Sequence, residues 1–191
     1  MEDYKLEIKT FTTARLNDIE TKKDRDVKVA GIVTATETRF SKNGNQYCRF
    51  TIEDFDGTYQ FTLFGKDFIA FKDYATVQDA QLYITGRYQK RWNSETEYEF
   101  KITKIDLLSD LRTKQTKYLS LELSTYEVDD KLTSTLSELL NRHPGNTKVR
   151  IKFIDRDEGH AVRLSSTTKS IELNNDLFRS LDMLQIGYGL N

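Results

Sequence analysis

Between residues 27 and 108, apart from one interruption at 66–75, apolar side chains recur at every second position; farther on, some stretches recur at every third or fourth. The run VKVAGIVTATETRF (27–40) is long and β-branched, with Gly31 inside it, and predicts an extended strand. In QYCRFTIED (46–54), Cys48, Phe50 and Ile52 fall on one face, and Tyr47, Arg49 and Thr51 on the other. TYQFTLF (58–64) repeats the alternation with Tyr59, Phe61 and Leu63 inward. SKNGN (41–45) and FDG (55–57) have turn composition, and Gly44 suits a positive φ. KDFIAFKDYA (66–75) breaks the period of two, and its Phe68, Ile69, Phe71, Tyr74 and Ala75 suit a short helix. AQLYITGRYQKRW (80–92) and YEFKITKIDLL (98–108) are two further strands, joined by the hairpin loop NSET (93–96).

Three strands, a helix and two strands is the order of an OB-fold, a five-stranded Greek-key β barrel. Gly31 and Gly86 stand inside strands, where such a barrel needs bulges or tight bends. The flanks read differently. Residues 1–26 form a lead-in in which YKLEIKTF suits a strand or a short helix, and SDLRTKQTK (109–117) reads as a polar hinge. After it comes a small α+β domain. YLSLELS (118–124) is a strand, and VDDKLTSTLSELLNRH (128–143) an amphipathic helix with Leu132, Leu136, Leu139 and Leu140 on its stripe and Asp129 as its cap. Pro144-Gly145-Asn146 ends that helix. TKVRIKFID (147–155) and HAVRLSS (160–166) form a hairpin around RDEG (156–159). SIEL (170–173) is a short strand, NNDLFRSLDML (174–184) a helix capped by Asn174 or Asn175, and QIGYGLN a tail. The expected division is a lead-in over 1–26, a barrel over 27–110 and the α+β domain over 111–191.

Composition narrows the function. The 29 basic and 30 acidic residues leave a net charge of -1, which argues against a strongly basic nucleic-acid binder. Residues 27–110 alone carry 11 basic and 12 acidic side chains, so any contact with phosphates comes from local clustering and is weak and salt-sensitive. One cysteine, Cys48, excludes an internal disulfide and a CxxC motif and fits a reducing cytoplasm. No apolar run is long enough to span a membrane, and MEDYKLEIKT does not have the form of a signal peptide.

No nucleotide-binding glycine loop, zincin or nucleophile-elbow motif is present. Asp54 and Asp56 are spaced like a metal-binding carboxylate pair, but EDFDG reads better as a strand end and turn in which Asp accepts backbone N–H groups. His143 at a helix end, His160 at a hairpin turn and Cys48 among core residues have no catalytic companions. No metal or cofactor is expected. The better signal is a binding face. On an OB barrel, strands 2 and 3 with the loops between strands 1 and 2 and between 4 and 5 hold oligonucleotides. That surface takes Arg39, Phe40 and Lys42 from the first loop, Tyr47 and Arg49 from strand 2, and Arg87, Lys90, Arg91 and Trp92 from strand 4 and its hairpin. Aromatic rings stack bases while cations follow phosphates. Trp92 reads equally as a residue packed on a neighbouring domain. Lys148, Arg150 and Lys152 make a basic strip on one strand, read first as a solvated face.

The segment VKVAGIVTATETRFSKNGNQYCRFTIEDFDGTYQFTLFGKDF resembles the OB-fold near the C-terminus of the bacterial DNA polymerase III alpha subunit family. The shared pattern is V-x-V-A-G-I-V, a basic x-K-x-G turn, F-x-x-x-E-D-x-x-G and L-F, followed later by ITGRY. DYKLEIKTF (3–11) is similar to the segment after that family's helix–hairpin–helix region, and 117–191 corresponds by position to its C-terminal domain. The resemblance implies a non-catalytic fragment of a longer chain, whose metal-binding polymerase site lies far upstream. It also implies an OB-fold that touches single-stranded template weakly, and an end domain that in some members binds the tau subunit of the clamp loader. Two other readings stay open: a tRNA anticodon-binding OB domain, as in class II aminoacyl-tRNA synthetases, and a protein-interaction module with an idle OB face.

Overall fold

The computed structural model describes residues 1–92, 94–155 and 157–191, divided into two units, Met1–Leu111 and Arg112–Asn191. In the first, β1 (Arg25–Phe40), β2 (Gln46–Glu53), β3 (Thr58–Phe64), β4 (Gln81–Lys90) and β5 (Tyr98–Leu107) form one antiparallel sheet in the order β3-β2-β1-β4-β5. The central strand β1 pairs with β4 along its first half and with β2 along its second, and its register shifts between Val33 and Ala35. That bulge lets one strand serve two neighbours and bend the sheet toward closure. Here the five-stranded OB-fold expected from the strand order is observed.

Closure comes from side chains. β3 and β5 are the sheet's two edges, and Phe61 of β3 meets Phe100 of β5 edge-on at 5.2 Å between ring centroids. Tyr59 packs against both rings, and burial pushes its hydroxyl up to about 12. Inside lie Val27, Val29, Val33, Cys48, Phe50, Ile52, Leu63, Leu82 and Ile84, the period-two set of four strands. α2 (Gly65–Ala75) contributes Phe68 and Ala75 to this core. Gly31 and Gly86 are where the walls come closest. A Cβ on Gly31 would sit 2.7 Å from the Glu53 carbonyl oxygen, and one on Gly86 would sit 2.2 Å from the Phe100 ring. Only glycine admits that approach.

The lead-in folds onto the barrel. Residues 4–11, read as either a strand or a short helix, contain the helix α1 (Lys5–Phe11). Its Ile8 and Phe11 cover Ala30 and Tyr83 on the back of β1 and β4, and the Tyr83 hydroxyl donates to the Phe11 carbonyl at 2.9 Å. A 3-10 segment, Leu16–Thr21, places Leu16 and Ile19 in the barrel core. The segment read as a hinge is a correction: α3 (Leu108–Gln115) forms there, anchored by buried Leu108 and Leu111. Two apolar points in eight residues leave little helical signature in the sequence.

The second unit is a four-stranded sheet, β8-β7-β6-β9, built from β6 (Tyr118–Ser124), β7 (Pro144–Asp155), β8 (His160–Ile171) and β9 (Gly187–Leu190). β6 and β7 are parallel, joined through α4 (Asp130–Arg142), and the other pairs are antiparallel. The Asp129 carboxylate accepts the Leu132 N–H at 2.6 Å, and Asn174 accepts the Leu177 N–H at 2.9 Å to cap α5 (Asn175–Met183). Of the expected α4 stripe, Leu136, Leu139 and Leu140 are buried and Leu132 half-buried. Two expectations change. SIEL is no separate strand, because β8 runs on to Ile171, and the tail holds β9, paired with β6. Asn93 of the β4–β5 loop and Arg156 of the RDEG turn lie outside the described residues.

Candidate nucleic-acid interface

β1 is the spine of the candidate face. In its second half, Arg39 lies opposite Tyr47 and Glu37 opposite Arg49 on β2; β2 in turn sets Tyr47 opposite Phe64 and Arg49 opposite Thr62 on β3. Cys48, Phe50, Phe61 and Leu63 point into the core, so this alternate set points outward. The rings of Tyr47 and Phe64 stack at 5.1 Å with 27° between their planes, and Phe64 is 52% exposed. The Arg49 guanidinium lies 5.6 Å from the centre of the Tyr47 ring. The result is an aromatic platform with a cation against it, the combination that takes a stacked base beside a phosphate.

Arg39 and Lys42 differ in state. The Arg39 Nε lies 2.6 Å from a Glu37 carboxylate oxygen, and that hydrogen bond, with the Coulomb attraction of Glu37, raises the guanidinium above its ordinary value. Phe40 ends β1 with 67% of its surface exposed. The loop after it is tied by Ser41 N–H to the Asn45 carbonyl and Gly44 N–H to the Ser41 carbonyl, with Gly44 at φ 77°. Lys42 stands exposed in this loop; neither it nor Arg49 has an ion-pair partner among the described residues.

The remaining candidates lie elsewhere along β1. Arg87 is opposite Asp26, near the strand's beginning, whereas Arg39 is near its end. Arg87 donates to the Asp24 carbonyl at 2.7 Å and faces the Asp26 carboxylate at 3.4 Å. Arg91 is held at 2.7 Å by Glu97 and at 3.5 Å by Glu99, and the Glu97 hydrogen bond is the main cause that raises its guanidinium. Lys90 closes β4, exposed and without an ion pair among the described residues. Trp92 is wholly exposed. The structure thus gathers Arg39, Tyr47 and Arg49 into one patch and leaves Arg87, Lys90, Arg91 and Trp92 as a second group at the other end of β1.

Sequence reasoning missed Phe64. The signal was available, because position 64 shares the outward parity of Gln60 and Thr62. The other chemical candidates have structural occupations. Asp54 accepts the N–H groups of Asp56 and Gly57 at 2.8 Å and of Leu16 at 2.9 Å, tying the lead-in to the β2–β3 turn. Asp56 pairs with Arg15 at 3.0 Å. His143 contacts Asn174 at 3.1 Å, and Cys48 is buried. Among the described residues, no group of three or more His, Cys, Asp or Glu side chains is placed to hold a metal ion. No helix among them is long and apolar enough to cross a membrane.

Comparison with known proteins follows this division. Residues 27–108 match the family model described as OB-fold nucleic acid binding domain, and residues 119–191 match that of the DNA polymerase III alpha subunit, C-terminal domain. The chain is 25% identical over 128 residues to the DNA polymerase III subunit alpha of Saccharopolyspora erythraea, covering 66% of this chain and 11% of that protein. Its match to the subunit alpha of Pseudomonas fluorescens is 22% over 167 residues, 87% of this chain and 14% of that protein. The chain therefore spans about an eighth of the length of these relatives. Among solved structures, the mitochondrial single-stranded DNA binding protein Rim1 of S. cerevisiae is 19% identical, covers 44% of this chain and 96% of its own, and has a TM-score of 0.34. With an OB-fold match followed in chain order by a match to the C-terminal domain of the polymerase subunit, and relatives aligned across most of its length, the chain is similar to the C-terminal region of the DNA polymerase III alpha subunits.

Proposed function

We propose that this chain is a non-catalytic C-terminal part of a replicative DNA polymerase alpha subunit, working in the cytoplasm, whose OB-fold binds single-stranded template DNA weakly. The observation that carries the reading is the outward Tyr47–Phe64 stack with Arg49 against it, on the strands where OB-folds hold oligonucleotides. Lys42 and Arg39 border this platform, and Lys90, Arg91, Arg87, Phe40 and Trp92 extend the path taken by the strand. The bordering acidic residues keep affinity low. With about three cations engaged, log affinity falls with log salt at a slope of about -2.

The second unit (112–191) serves as the partner-binding domain, with the tau subunit of the clamp loader as the expected partner. An apolar pocket of about 200 Å³ between α4 and the sheet, lined by Val128, Leu132, Leu136, Leu140, Ile151 and Phe153, supports this reading. The chain needs no metal or cofactor for either role.

Fluorescence anisotropy of labelled oligo-dT, titrated with the chain at low and moderate salt, tests the first role. Binding that weakens along that slope is expected. Absence of binding at low salt removes DNA from the function and leaves the interaction-module reading. Tighter binding of an anticodon stem-loop than of oligo-dT moves the assignment to RNA.

A further inference from the structure

The sheet of the second unit has two unlike faces. Leu119, Leu121 and Leu123 of β6 and their β7 partners Val149, Ile151 and Phe153 turn toward α4 and α5. Among the described residues, no helix of this unit packs on the opposite face. On it stand Tyr118, Ser120 and Glu122 of β6, then Lys148, Arg150 and Lys152 of β7, then Arg163 of β8 across from Lys152. Gly187 and Gly189 of β9 add no side chain, so the face is low along that edge and holds a concavity of about 440 Å³.

Three features give the face a direction. Lys152 and Arg163 are like charges directly opposed across two strands, an arrangement that costs stability unless something anionic lies between them. Glu122 answers only the Lys152 side, at 2.7 Å. Next, Lys148, Arg150 and Lys152 alternate along one strand at about 7 Å intervals, comparable to neighbouring phosphates on an extended single strand. Lys148, Arg150 and Arg163 have no ion-pair partner among the described residues. Last, the Arg150 guanidinium lies 3.6 Å above the centre of the Tyr118 ring. That holds it against the sheet as a flat cationic plate, a surface on which an unpaired base stacks.

We propose that this open face is a second single-stranded nucleic-acid binding surface, separate from the OB-fold face, in which Arg150 on Tyr118 stacks a base and Lys148, Lys152 and Arg163 follow the phosphates. An acidic polypeptide would satisfy the charges but has no use for the stacked guanidinium plate. The inference is independent of the OB-fold reading, since it rests on other residues.

The test uses the full chain and labelled oligo-dT at about 50 mM salt, with R150E/R163E made both alone and together with K42E/R49E on the OB-fold face. In the K42E/R49E background, R150E/R163E is expected to lower residual affinity by about tenfold and flatten the salt slope by about 1.4. A change within twofold in both backgrounds overturns the proposal, whatever the OB-fold variant does. R150Q/R163Q carries the same test should the charge reversals disturb folding, with thermal melts matching the parent. Polyglutamate is titrated in parallel. If it binds as tightly as oligo-dT and loses as much on R150E/R163E, the face is a site for acidic chains and the proposal fails.

Discussion

At one end of β1, Arg49 lies over Tyr47 and Lys42 stands in its loop without a carboxylate, with only Arg39 paired, to Glu37; at the other, Arg87 and Arg91 are gripped by Asp26, Glu97 and Glu99, and only Lys90 has no ion pair among the described residues. In the sequence, the two groups look alike: arginine and lysine beside an aromatic residue. In the structure, their electrostatic states differ. A cation already paired must leave its carboxylate to reach a phosphate, and the carboxylate left behind repels the incoming strand. An unpaired cation on an aromatic ring has neither cost. On the proposed reading, the more conspicuous motif, QKRW, is therefore the weaker one as built, and the modest TYQFTLF strand supplies the better platform through Phe64.

The largest effect expected from this difference is on charge reversal. K42E/R49E is expected to reduce oligo-dT affinity by about tenfold at low salt, whereas R87E/R91E changes it about twofold, since two ion pairs rather than two free cations are lost. Anisotropy titrations of both variants beside the parent measure this. Equal losses would show that the ion pairs open freely and that the two ends of β1 act as one site.

Why the sequence showed one end more loudly than the other has a physical basis. Period-two alternation fixes which residues are buried, so β2, β3 and the inward set Cys48, Phe50, Ile52, Phe61 and Leu63 were legible. The helix stripe of α4 and its Asp129 cap were legible for the same reason, as local properties of the chain. Partners across strands are not local. Glu37 beside Arg39 is a neighbour two positions away, but Asp26 against Arg87 depends on a pairing of β1 with β4 that no spacing announces. β9 makes the same point: GYGL has two glycines and little intrinsic strand preference, and it becomes a strand by pairing with β6. In α3, Leu108 and Leu111 are anchored by a cluster that includes Ala30 and Tyr83, contacts distant in sequence, so its polar composition read as a hinge.

A smaller effect separates stacking from charge at the stronger end. Y47A removes one ring of the exposed pair and the surface on which Arg49 rests. One stacked base is worth about 1–3 kcal/mol by alanine substitution, so affinity is expected to fall by at least about fivefold. The salt slope is expected to stay unchanged, because no cation is removed. A flattened slope would mean that Tyr47 acts chiefly by positioning Arg49.

The smallest effect has the opposite sign. E97Q/E99Q leaves the β4–β5 loop its hydrogen-bonding groups but takes away both carboxylates that hold Arg91. The Ser94 hydroxyl still accepts the N–H of residue 97, so the turn keeps its tie. Arg91 then joins Lys90 as a free cation beside Trp92, and one further phosphate contact steepens the slope by about 0.7. Affinity for oligo-dT is expected to rise by about threefold at low salt and to converge with the parent as salt increases. Because Trp92 is the chain's single tryptophan, its fluorescence reports on this end of β1 alone. A gain in affinity accompanied by Trp92 quenching would show that the carboxylates, and not the distance from the Tyr47 platform, keep this end weak. A gain without quenching would assign the effect to long-range charge, and no gain would leave the strand's path confined to β2 and β3.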